Sequence, residues 1–171
     1  MPRIPPLPLA TIKPPLANAI NDARQSGVLS STLPVRIWAH RPETASNWLA
    51  TINSFYSNSV LDDRLRELVR LKIASLTKCE TCQLARKSAA VSDEDIACLA
   101  ANNDRFTPAE QSALTFAELF AADYQSIGCT EFDALKIHFS IEAIVELNMF
   151  CALMLAGGRM TYVLSAYEDD P

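Results

Sequence analysis

The chain has 171 residues, 49% of them hydrophobic, five cysteines and a net charge of −5. That length allows one domain with a real core, burying about 70% of the surface an unfolded chain exposes. The acidic balance and the lack of a Lys/Arg cluster exclude an electrostatic footprint for nucleic acid or anionic membrane. Four glycines, few aromatics and the dominance of Ala, Leu and Glu predict an all-α protein.

Six prolines fall in the first fifteen residues. Residues 1–15 therefore read as an extended, polyproline-like arm and not as a signal segment. Residues 16–171 read as a single helical domain. Leu16 to Gln25 forms a short helix closed by Gly27, Pro34 and Pro42 punctuate the next stretch, and a helix from Glu43 to about Ser57 places Trp48, Leu49, Ile52, Phe55 and Tyr56 at core spacing. Ser59 with Asp62 resembles a capping box for a helix running to about Leu76, with Asp62 and Asp63 well placed for its dipole.

A further helix is expected to run past Cys82 to about Ala90, and Ser92 with Asp95 opens a short one to about Ala101. Thr107-Pro108-Ala109-Glu110 is a strong start signal, joining a cap, a proline at the first helical position and a carboxylate three residues on. Its helix runs to about Tyr124. Thr130 with Asp133 starts the next, and Ser140 caps a long last helix ending near Tyr167. The most apolar stretch, Leu147 to Ala156, is about half a membrane span, so a soluble, cytoplasmic protein is expected.

Cys98, Cys129 and Cys151 have no partner at short spacing, so a secreted disulfide scaffold is not expected. Cys79 and Cys82, in "LTKCETCQLARK", are three apart. They can be a redox dithiol, half of a zinc site or two core thiols. Zinc needs four ligands, and only His40 and His138 are on offer without a second C-x-x-C. If the preceding helix ends near Thr77, both thiols lie in the first turn of the next, where free N–H groups and the dipole favour a thiolate. Lys78 adds positive charge there, and Glu80 opposes it.

Arg86 follows Cys82 by four residues, so the two are expected to share a helix face. Its guanidinium cannot accept a proton, but it can hold a thiolate or an anionic substrate; a solvated surface arginine is the plain alternative. Glu67 lies on a helix that apolar residues nearly encircle. Either it pairs with Arg64, Arg66 or Arg70, or it is partly desolvated and suited to proton transfer.

The segment "LDDRLRELVRLKIASLTKCETCQLARKSAAVSDEDIACL" resembles the carboxymuconolactone decarboxylase superfamily and, within it, the AhpD-like alkylhydroperoxidases. The matching features are Arg-Glu-Leu around Glu67, eleven residues between Glu67 and Cys79, and the C-x-x-C opening a helix. "FTPAEQSALTFAELF" and "LKIHFSIEAIVELNMFCALMLAGGRM" resemble the later helices, so the likeness covers most of residues 35–165. It implies an AhpD-like helical bundle forming homo-oligomers, trimers or hexamers, and a peroxide-reducing centre. Cys82 would be the peroxidatic thiol, Cys79 the resolving thiol and Glu67 the proton-relay carboxylate, with no tightly bound cofactor and a lipoyl- or thioredoxin-like dithiol as the electron donor.

Two positions depart from that pattern. Arg86 stands where the resemblance calls for a histidine, and Thr81 where some relatives carry another. Proton removal from Cys82 would then fall to Glu67, to water or to ionisation helped by the cation. His138 could supply an imidazole if the fold brings it close; a surface role is the plain reading. Two other functions stay open from the sequence: a decarboxylase-like enzyme using Glu67 as acid/base and Arg86 as an anion clamp, and a non-catalytic oligomeric binding protein.

Overall fold

The computed structural model describes residues 1–99 and 104–167, with the side chains of all of these except Glu80 and Thr81. Every regular element among the described residues is helical, as the composition predicted. The described chain divides into two compact units, one made of residues 1–58 with residues 159–167, the other of residues 59–158.

In the first unit, α1 (Leu16–Gln25) and α3 (Pro42–Ser57) take the expected ranges, and Gly27 follows α1 at φ +79°. A helix that the sequence pattern does not signal, α2 (Leu33–Trp38), lies between them. Pro34 punctuates the sequence without breaking this helix, because in a first turn the N–H it lacks has no intrahelical partner to lose. The core joins Leu16, Ile20, Val35, Ala45 and Leu49 from these three helices. Of the large residues expected there on α3, Leu49 and Phe55 are buried while Trp48, Ile52 and Tyr56 are half-buried. Residues 1–15 are tied to this unit by backbone: the Arg3 N–H donates to the Leu164 carbonyl at 2.8 Å and the Leu7 N–H to that of Arg36 at 3.1 Å.

The second unit begins with α4 (Asp63–Leu76). Asp62 is its N-cap, accepting from the Leu65 N–H at 2.8 Å. Ser59, expected to open that cap, instead hydrogen-bonds the Glu146 carboxylate, which also takes the Val60 N–H at 3.0 Å. Beyond it come α5 (Glu80–Leu84), α6 (Asp93–Cys98), α7 (Pro108–Ala122), α8 (Cys129–Lys136) and α9 (Ile141–Leu164), of which residues 159–164 belong to the first unit. The capping boxes at Ser92 and Thr107 form as the sequence predicted; the expected end of the Ser92 helix at Ala101 lies outside the described residues. At α8 the start moves to Gly128, whose N–H donates to the Glu131 carboxylate at 2.7 Å, so Thr130 is inside the first turn. Ser140 caps α9 through the Ala143 N–H at 3.2 Å, and Ser165, at φ +48°, ends it before Tyr167.

Helix α9 is longer than the apolar stretch that marked it, and by length and composition it could cross a membrane. One of its faces, with Ile144, Leu147, Phe150 and Cys151, is buried, while Ile141, Val145 and Met149 are exposed on another. Its two glycines differ. A Cβ on Gly158 would meet Thr77 Oγ1 at 2.7 Å and Thr77 Cβ at 3.2 Å, whereas one on Gly157 meets nothing within 4 Å. Alanine in a helix is worth about 1 kcal/mol over glycine, and overpacking a tight contact costs about 1–3 kcal/mol. Gly157→Ala is therefore expected to raise the thermal midpoint and Gly158→Ala to lower it. Equal melting of the two variants would refute the close approach to Thr77.

Arg64 on α4 ties the starts of two other helices. Its Nε donates to Glu110 at 2.7 Å and its Nη1 to Asp95 at 2.8 Å and to the Ala90 carbonyl at 2.7 Å. Both carboxylates are the third-residue acids of their capping boxes. The Arg64 guanidinium, then the Ser92 N–H and Arg105, hold the Asp95 carboxyl well below the usual carboxylate range, against the opposing cost of burial. A depressed carboxyl pKa contributes stability above the unfolded value, near 4, and loses it as pH falls further. Asp95→Asn should thus cost about 2 kcal/mol at pH 7 and less at pH 3, where the unfolded carboxyl is mostly protonated while the folded one is still charged, read from urea unfolding at both pH values. An equal loss at both would remove Asp95 as the acid-sensitive group.

Candidate active site: a dithiol at a helix junction

Helix α4 ends in a tight reversal that places the first cysteine. Lys78 adopts φ +54°, a left-handed conformation that usually selects glycine. Its N–H reaches the Ser75 carbonyl at 3.4 Å, and the Cys79 N–H reaches that of Ala74 at 3.2 Å. This is the crossed pair of hydrogen bonds that closes many helices. The Cys79 carbonyl in turn accepts the Gln83 N–H at 2.9 Å, so the residue that ends α4 also caps α5. Cys82 is then the third residue of α5, and the two thiols occupy the cap and third positions that Ser/Thr and Glu fill in a capping box.

The two cysteines form a disulfide with Cα atoms 5.2 Å apart. Cys79 has no exposed surface, while Cys82 is half-buried. The helix-start geometry expected from sequence is present, but α5 has only five residues instead of extending to about Ala90. So short a helix supplies little dipole. Lys78 is exposed beside the pair, and the Glu80 and Thr81 side chains lie outside the described residues.

What ends α5 is a buried ion pair reaching over from α4. Arg70 Nε and Nη2 donate to the two Glu67 oxygens at 2.6 and 2.8 Å. Arg70 Nη1 donates to the Cys82 carbonyl at 2.6 Å and Nη2 to that of Ala85 at 2.7 Å. Glu67 Oε1 also accepts the Lys87 N–H at 2.9 Å. Glu67 is 2% exposed and Arg70 5%. Of the roles open to Glu67 from sequence, pairing with an arginine is present, and Arg70 is the partner. From sequence, Arg70 is only one of three possible partners. Its spacing of three from Glu67 is a signal for the pair, but nothing local points from Arg70 to the cysteine segment.

Arg86 is not on the helix of Cys82, because α5 has already ended. Its Nη1 donates to the Gln83 carbonyl at 2.6 Å and that of Leu84 at 3.2 Å, while Nη2 approaches Asp93 at 3.4 Å. The cation thus serves the last carbonyls of α5, and its side chain is 42% exposed. With Lys87, Ser88, Val91 and Asp93 it lines an open depression of about 510 Å³. His138 is exposed in the turn between α8 and α9, edge-on to Phe139 at 6.4 Å. Of the other thiols, Cys129 is exposed, Cys98 half-buried and Cys151 buried. Burial pushes the Cys151 thiol up to about 12, which leaves it inert as a nucleophile.

In sequence, the chain matches no protein-family profile and no curated protein. Among solved structures it is similar to the debrominase Bmp8, with a TM-score of 0.79 at 17% identity over 98% of this chain and 92% of that one. A cysteine-to-alanine form of Bmp8 in complex with 2,3,4-tribromopyrrole gives a TM-score of 0.81 at 16% identity, over 96% and 90%. A peroxidase-related protein from Ralstonia eutropha, described as an alkylhydroperoxidase AhpD core, gives 0.78 at 19% identity, over 99% and 93%. The chain therefore has the AhpD-like fold along nearly its whole described length.

Proposed function

We propose that this AhpD-like protein is a thiol oxidoreductase that reduces hydroperoxides through Cys79 and Cys82. The observation that carries the reading is the disulfide joining a buried cysteine to a half-buried one at the junction of α4 and α5. Cys82, the more accessible, attacks. Its thiolate sulfur bonds the outer peroxide oxygen, the O–O bond breaks, and the alkoxide takes a proton to leave as an alcohol. The sulfenic acid on Cys82 condenses with the Cys79 thiol, forming the S–S bond and expelling water. An external dithiol, lipoyl- or thioredoxin-like, then reduces the pair by exchange and is itself oxidised.

Arginine cannot take the Cys82 proton, so in this proposal it passes to water and Arg86 contributes charge alone. Glu67 acts through Arg70, since its oxygens are engaged by that guanidinium and the Lys87 N–H. The setting is the cytoplasm, where such donors operate. A homo-oligomer fits the exposed Ile141, Val145 and Met149 of α9, and a sedimentation mass of one chain would remove that part.

The likeness to Bmp8 favours a second acceptor for the same dithiol. An aryl bromide taking two electrons exchanges bromine for hydrogen and releases bromide, while the two thiols become a disulfide. One experiment tests both readings: hydroperoxide consumption and bromide release from a brominated pyrrole, with a dithiol supplied, for the parent and for Cys79→Ser and Cys82→Ser. Mass spectrometry should find two hydrogens lost from the 79–82 peptide after mild peroxide. If both variants turn over as fast as the parent, the thiol reading is wrong.

A further inference from the structure

We propose that Arg70 is a positioning residue for the thiol pair, forming with Glu67 a clamp that holds Cys82 against Cys79 and so sets how readily the disulfide is reduced. This rests on the redox reading of the pair. The clamp fixes the chain after Cys82 at three points: the Cys82 and Ala85 carbonyls accept from Arg70 at 2.6 and 2.7 Å, and the Lys87 N–H donates to Glu67 at 2.9 Å. A five-residue helix cannot hold its own shape in isolation, so these bonds decide where Cys82 lies. Cys79 is anchored independently, by its N–H on the Ala74 carbonyl. Both anchors stand on α4, with Glu67, Arg70 and Ala74 following one another a turn apart. One rigid helix thus holds each sulfur's backbone, which raises the effective concentration of one thiol at the other.

Charge plays the smaller part. Glu67 engages the Arg70 guanidinium through both oxygens, so little net field remains to favour a Cys82 thiolate, and geometry sets the direction. With the clamp loosened, reduction by two glutathione thiols, giving the protein dithiol and glutathione disulfide, should become more favourable. Arg70→Lys keeps a charge for Glu67, but a single ammonium cannot span two carboxylate oxygens and two carbonyls as the guanidinium does.

The test equilibrates the protein in glutathione redox buffers, traps thiols by alkylation and weighs the 79–82 peptide, with circular dichroism to confirm folding. Arg70→Lys is expected to shift the equilibrium about tenfold towards the dithiol, equivalent to a midpoint about 30 mV less negative. Should the lysine variant unfold, Glu67→Leu/Arg70→Met, which removes both charges of the pair, is expected to shift the same way. Arg64→Lys, which loosens an ion pair serving α6 and α7, should match the parent. The inference is overturned if the clamp variants stay within about threefold of the parent, or if Arg64→Lys moves as far as they do. A parent that forms no 79–82 disulfide in any buffer brings down the redox reading as well, whereas a parent that exchanges alongside unshifted variants removes this inference alone.

Discussion

Cys82→Ser is expected to abolish hydroperoxide consumption, a loss of several orders of magnitude of the kind that removal of a nucleophile produces. A serine hydroxyl stays protonated at neutral pH, and neither charged neighbour is a base for it: Arg86 is a permanent cation and Glu67 is engaged by Arg70 and the Lys87 N–H. Cys79 cannot take over, because it has no exposed surface. Cys79→Ser should behave differently. The Cys82 thiolate remains, so each chain consumes about one equivalent of peroxide and then stalls at a sulfenic acid, which climbs to the sulfinic form as peroxide accumulates. Stopped-flow consumption with intact-mass analysis separates the two: no burst and no added oxygen at position 82 for Cys82→Ser, one burst and one or two added oxygens for Cys79→Ser. A burst from Cys82→Ser that is missing from Cys79→Ser would reverse the assignment of attacking and resolving thiols.

The second large effect concerns the ion pair behind the thiols. Arg70→Ala strips Glu67, 2% exposed, of its guanidinium and leaves the Cys82 and Ala85 carbonyls without that donor. Breaking a buried pair from one side costs about 3–5 kcal/mol, enough to unfold a marginal domain. Replacing both partners, in Glu67→Leu/Arg70→Met, removes the charges together and should recover part of that loss, the Cys82 and Ala85 carbonyls and the Lys87 N–H still lacking these partners. A cycle of Glu67→Leu, Arg70→Met and the double variant, by urea unfolding, should give a coupling energy of about 2–3 kcal/mol. Additive losses would show that the two side chains do not stabilise the fold as a unit. Stability and thiol chemistry should part company here, because the double variant regains folding without regaining the bonds to Cys82 and Ala85.

The signals that proved legible were short in range. Thr107, Pro108 and Glu110 mark the start of α7, and Ser92 with Asp95 that of α6, because a cap and its third residue satisfy each other within one turn. The end of α4 and the opening of α5 at Cys79 obey the same local logic. Where a choice lay outside the turn, the sequence was silent or misleading. Ser59 looks like a cap for α4, but its hydroxyl is taken by Glu146, 87 residues away, and Asp62 caps instead. Nothing between Leu84 and Ala90 breaks a helix by composition, yet α5 stops because Arg70 and Glu67 take the Ala85 carbonyl and the Lys87 N–H. That early stop also moves Arg86 off the Cys82 face.

Residue preferences alone give the helical class, most helix starts and the placing of two thiols at a helix junction. All of these depend on φ/ψ preferences and hydrogen bonds that close within a few residues. Packing settled the rest: Cys79 is buried while Cys82 is not, Arg70 is the arginine Glu67 pairs with, and this pair grips the chain beyond Cys82. That grip hangs on donors and acceptors 12 to 20 residues apart, brought together by the packing of α5 on α4. A buried guanidinium takes whichever acceptors that packing presents, because each one left unpaired in the interior would cost more than the local helix gains by continuing.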